Sequence, residues 1–157
     1  MYVKDITKQA VVAAIYVICC VALAPISFTV IQFRMSEALM FLPFYNKKYT
    51  IGLTIGCFIA NCFSPLGIFD MIFGTLSTLI ACLLITKLKN KWLIAPVAAV
   101  VMAAIIPFEL YYVLNEPFWF SVLTIFISEI IVVFLGVLAA GAFEKTVLKR
   151  EAKSDAR

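Results

Sequence analysis

Ile31-Gln32-Phe33-Arg34-Met35-Ser36-Glu37 is a short polar and charged knot between two long apolar runs. A charge near the centre of a bilayer costs about 2.5–3.5 kcal/mol on insertion scales. Arg34 and Glu37 must therefore lie at a membrane surface, pair with each other, or face a polar cavity. Their i, i+3 spacing puts them on one face of a helix. The plain reading is a surface ion pair capping a membrane helix. The functional reading is the rim of a ligand site.

The chain around this knot has the composition of a membrane protein. Of its 157 residues 64% are hydrophobic, and the mean hydropathy is +1.07. A soluble domain is about 45–50% apolar, and a soluble core could not hide the excess. The expected class is an all-α, multi-pass protein of the cell membrane, one domain over residues 1–157. There are no histidines and five cysteines. Cys19, Cys20, Cys57, Cys62 and Cys82 all lie in apolar segments without a C-x-x-C, which reads as buried free thiols. No metal site and no cofactor are expected.

Breaks in the apolar pattern divide the chain into six spans, at about residues 6–24, 36–46, 49–63, 68–88, 92–112 and 118–146. Pro25 closes the first. Asn46-Lys47-Lys48, the Asn61–Gly67 stretch, Lys87–Lys91 and Asn115-Glu116-Pro117 separate the others. The second and third are short for a hydrocarbon core of about 30 Å. Pro96 and Pro107 are candidate kinks in the fifth.

The basic residues set the orientation. Lys4, Lys8, Lys47, Lys48, Lys87, Lys89, Lys91 and the cluster from Lys145 to Arg157 all fall on one side of a six-span chain. By the positive-inside rule that side is cytoplasmic, and both termini with it. Arg34 alone among the basic residues is left on the other side. The basic residues cluster between spans rather than on one soluble face, so nucleic acid is not an expected partner.

The polar residues of the outer half then become site candidates. Glu129 lies about 15 Å into the sixth span at 1.5 Å per residue, and an intramembrane carboxyl is a functional hypothesis by default. A protonated glutamate bonded to a neighbouring helix is its plain alternative. Asp70, Gly74, Ser77 and Thr78 form a small, polar stripe that should face the bundle interior. Asp70 also suits a helix N-terminus, whereas Glu109 near a helix C-terminus does not. Gln32, Asn61, Glu37, Arg34, Tyr111, Tyr112 and Trp119 lie at the same level, the aromatics doubling as interfacial anchors. Together these groups outline an outward-facing site for a planar, hydrogen-bond-donating solute. No nucleotide-binding loop or nucleophile constellation is present, so no catalysis is expected of this chain. Ala10 and Ala14, with Gly52 and Gly56, have the small-x-x-x-small spacing that lets helices approach closely.

These residues resemble a known family. Six short spans in a small basic chain are similar to the substrate-binding S component of energy-coupling factor (ECF) transporters. Gln32-Phe33-Arg34-Met35-Ser36-Glu37-Ala38 resembles the Q-F-R-x-S-E-A stretch of the QueT family. So do Gly52–Asn61, Ser64-Pro65-Leu66-Gly67, Asp70 and Phe73-Gly74-Thr75, while Ser128-Glu129 stands where the family carries Gly-Glu. The resemblance implies an S-component-like bundle and uptake of a queuosine precursor, a 7-deazaguanine such as preQ1 or preQ0. It also implies docking through Ala10 and Ala14 onto a membrane coupling protein driven by two cytoplasmic ATPases. The competing readings are a small proton-coupled secondary carrier and a non-transporting membrane assembly protein.

Overall fold

The computed structural model describes residues 3–23 and 33–143. Pro25, Ile31, Gln32 and the basic tail from Lys145 lie outside these residues. All regular structure among the described residues is helical: α1 (Val3–Ala22), a 3-10 helix (Met35–Phe41) running into the single turn α2 (Leu42–Tyr45), α3 (Tyr49–Asn61), α4 (Ile68–Ile85), α5 (Ile94–Leu114) and α6 (Phe118–Phe143). A 3-10 turn, Lys91–Leu93, leads into α5, with the Asn90 side chain accepting the Trp92 amide.

α1, α4, α5 with its leading turn, and α6 are long and apolar enough to cross a membrane, and α3 is a shorter apolar helix. The second expected span departs from a regular α-helix. Its seven 3-10 residues and four α residues rise about 20 Å together, short of the hydrocarbon thickness. Pro107 sits inside α5 without ending it, and Pro96 lies in that helix's first turn.

The elements pack as a closed ring. α1 lies on α3, α3 on α4, α4 on α5 and α5 on α6, and the 3-10 helix closes the circuit between α6 and α1. Small residues permit the close approaches. A Cβ on Gly52 would meet Gln9 Oε1 at 2.7 Å, and one on Gly56 would meet Ala13 and Tyr16 at 2.9–3.0 Å. Gln9 Oε1 instead accepts the Gly52 amide at 3.1 Å. The Gly52/Gly56 pair therefore packs α3 internally on α1. A Cβ on Gly136 of α6 would overlap the Ala38 carbonyl, so α6 seats the backbone of the 3-10 helix directly.

α5 is the most enclosed of the long helices, with alanines at 95, 98, 99 and 103 buried among Ile94, Met102, Ile106 and Leu110. The outward surface of the bundle carries Ile72, Leu76, Leu83, Leu123, Ile127, Leu135 and other large apolar side chains. Small residues inside and large apolar ones outside is the arrangement of a bundle solvated by lipid. The breaks follow local chemistry. Gly67 precedes α4 at φ 61°, ψ −128°, a backbone conformation open to glycine. Asn115 ends α5 in the left-handed region at φ 55°, where asparagine is tolerated.

Candidate functional site

The end of the bundle away from the interspan lysines holds a buried polar cluster. Arg34 just before the 3-10 helix, Glu37 within it, Asn61 at the end of α3, Asp70 in the first turn of α4, Glu109 near the end of α5 and Glu129 in α6 are each at most 4% exposed. Antiparallel neighbours bring these chain positions to one level, so six distant residues converge. Tyr16 of α1 joins them and is 1% exposed.

One arm of the cluster is an ion-pair lock, in which Asp70 Oδ2 and Asn61 Oδ1 have no hydrogen-bond partner among the described residues. Arg34 Nη2 donates to Asp70 Oδ1 in a short salt bridge. Asn61 Nδ2 donates to the Asp70 carbonyl oxygen at 2.9 Å and to Cys57 Sγ at 3.4 Å. Thr78 Oγ1 donates to the same sulfur at 3.2 Å. Gly74 lies under this lock, and a Cβ there would meet Asn61 Nδ2 at 2.5 Å, Asp70 Oδ1 at 3.0 Å and Arg34 Nη1 at 3.1 Å. The Asp70, Gly74, Ser77, Thr78 stripe thus faces inward as its spacing implies, and all four residues are buried.

The other arm is open. Among the described residues, neither carboxyl oxygen of Glu109 has a hydrogen-bond partner, and Glu37 Oε2 and Glu129 Oε2 have none. The Glu37 and Glu129 carboxyl groups meet each other. Tyr16 Oη donates to Glu37 Oε1 across a long 3.5 Å. Glu109 lies in the field of Asp70 and Arg34. Four carboxyl groups thus surround one guanidinium, leaving acceptors in excess over donors. Nearly all buried polar groups in proteins find partners, so several orphaned carboxyl oxygens at one place call for a donor-rich ligand.

Three sequence expectations change here. Arg34 engages Asp70 rather than closing a local pair with Glu37. Arg34 lies outside the helix with extended backbone at φ −83°, ψ 93°, so it does not share a helical face with Glu37. Trp119 and Tyr112 do not reach the cluster: they are 79% and 74% exposed, at the helix ends where aromatic rings anchor to the interface. Tyr111 is also exposed and packs edge-on against Tyr112. Tyr16 was not among the sequence candidates. Its signal was a hydroxyl in the middle of an apolar helix, which needs a buried partner. Gln32 lies outside the described residues.

Ala10 and Ala14 are exposed, whereas the neighbouring Ala13 is buried against α3. They line a groove of about 470 Å³ between α1 and α3, together with Val17, Ile18, Ile55 and Ile59.

The family model of the QueT transporter matches residues 6–145. This chain belongs to the QueT transporter family. A curated relative, the queuosine precursor transporter QueT of Lactococcus lactis subsp. cremoris (strain MG1363), is 51% identical over 78 residues. That match takes in 48% of this chain and 46% of the relative, so the chain spans about half the length of the relative it matches. No solved structure matches the chain. Family membership and the apolar helices together make this QueT-family chain a multi-pass membrane protein.

Proposed function

We propose that this chain is the substrate-binding membrane subunit of an ATP-driven importer for a queuosine precursor, with the ligand held at the open arm of the buried cluster. The observation that carries the proposal is the set of carboxyl oxygens on Glu37, Glu109 and Glu129 that have no partner among the described residues. A 7-deazaguanine presents N1–H and an exocyclic amine side by side. A carboxylate is a two-acceptor group that takes both. Glu109, with both oxygens open, is the first choice for that edge. The Glu37–Glu129 pair then suits a second donor group, which favours the 7-aminomethyl precursor preQ1 over the nitrile preQ0. Asn61, Asp70 and Arg34 form the wall behind the ligand, and Gln32 is retained from its place in the sequence motif. A site built to accept two donors discriminates sharply against a base lacking them.

Glu109→Gln and Glu129→Gln keep the side-chain shape and set a donor against the ligand's own donor. At least one should weaken preQ1 binding by about 2 kcal/mol or more, read by titration of purified protein. A loss below about threefold in both variants would remove the site assignment.

The energy source belongs to partners. The exposed Ala10/Ala14 groove suits close docking of a helix from a coupling protein that works with two cytoplasmic ATPases. Ala10→Trp with Ala14→Trp should abolish ATP-driven uptake in vesicles and leave binding by the solitary chain within about twofold. Uptake that persists without any ATPase would instead favour a secondary carrier.

A further inference from the structure

The opposite end of α1 carries a second, unrelated cavity. It measures about 430 Å³ and is lined by Lys4, Thr7, Lys8, Val11 and Val12 of α1 and Tyr49 of α3. Lys4, Lys8 and Val11 recur at i, i+4 and i+7, which puts them in a row on one flank of the helix. The alanine groove lies around the helix from this row, so the two surfaces are separate.

The lining is graded along the membrane normal. Lys4, Thr7 and Lys8 form the outer two turns, and Val11 and Val12 lie one turn deeper, about 5 Å further in. Tyr49, 7% exposed, walls the cavity on the α3 side. Among the described residues around it the charge is mostly positive: Lys4, Lys8, Lys47 and Lys48 outnumber the acid Asp5. Asp5 is engaged by Lys48 at 3.1 Å.

We propose that this cavity seats an anionic phospholipid, its phosphate between Lys4 and Lys8 and the start of one acyl chain along Val11. The argument is complementarity in two respects. The cationic rim suits a phosphate at the level of the lipid head groups, where each nearby lysine strengthens attraction to anionic lipid. The apolar floor suits an acyl chain and would be left wet by a soluble anion. The proposal rests on α1 as a membrane helix and not on the transport reading, so the two can fail independently.

The test is lipid binding by the full chain in detergent, measured by native mass spectrometry. Phosphatidylglycerol is compared with phosphatidylcholine of the same acyl chains, and glycerol 3-phosphate serves as the soluble arm. The parent should retain phosphatidylglycerol preferentially, and Lys4→Gln with Lys8→Gln should reduce that retention about tenfold. Lys4→Arg with Lys8→Arg should restore it. Lys87→Gln with Lys89→Gln removes the same charge elsewhere on that side and should leave retention unchanged. Equal losses in the two glutamine doubles would show diffuse surface attraction and overturn the proposal. So would a parent without preference between the lipids. Displacement of the lipid by glycerol 3-phosphate would make this a soluble-anion site and overturn it too.

Discussion

Asp70 and Glu109 are both carboxyl residues with almost no exposed surface, at the same end of the same bundle. Their surroundings differ. Asp70 is held by Arg34 through one oxygen, and Asn61 grips its backbone carbonyl. Glu109 has no hydrogen bond to either oxygen among the described residues. The difference separates two uses of buried charge. A paired carboxyl ties together the residues just before the 3-10 helix, the end of α3 and the start of α4, and its removal takes a bonded carboxylate away from a buried cation. A carboxyl orphaned among the described residues ties none of them together, and retaining it makes sense when its partner arrives from outside. Asp70 is thus part of the scaffold, and Glu109 part of what the scaffold presents.

Matched carboxyl-to-amide changes turn that contrast into measurements. The largest effect should come from Asp70→Asn, which removes the carboxylate bonded to the buried Arg34 and should cost about 3–5 kcal/mol of stability. Thermal and denaturant unfolding in detergent reads this directly. Gly74→Ala should come next. It inserts a Cβ 2.5 Å from Asn61 Nδ2 beneath the lock, and overpacking of this kind costs about 1–3 kcal/mol. The smallest stability change should come from Glu109→Gln, which breaks no hydrogen bond among the described residues and should leave stability within about 1 kcal/mol of the parent, or raise it. If Glu109→Gln destabilised as much as Asp70→Asn, the two arms would not be distinct. If Asp70→Asn left stability unchanged, the lock would carry no structural load.

Much of the bundle was legible because lipid imposes a simple rule on sequence. The apolar runs, the lysine-marked breaks and the glycine spacing at 52 and 56 located the helices, and the stripe from Asp70 to Thr78 announced its inward face. The partner of Arg34 was not legible. Spacing encodes neighbours on the same helix, whereas Asp70 lies 36 residues away and is brought near only by the packing of α4. The 3-10 character of Met35–Phe41 was hidden for a related reason. Nothing in Met-Ser-Glu-Ala-Leu-Met-Phe forbids an α-helix, and its seating on Gly136 is a tertiary contact. Tyr112 and Trp119 show the converse. Aromatic residues near helix ends are equally compatible with stacking on a ligand and with anchoring at an interface, and exposure separates the two.

Gly136 and Gly141 stand five residues apart on one helix and face different evolutionary futures. Every amino acid other than glycine brings a Cβ, and at position 136 that atom would overlap the Ala38 carbonyl next to Glu37. No amino-acid replacement there is silent in shape. At position 141 nothing among the described residues lies within 4 Å of the same atom, and side chains can come and go. Across related sequences, column 136 should be frozen while column 141 drifts.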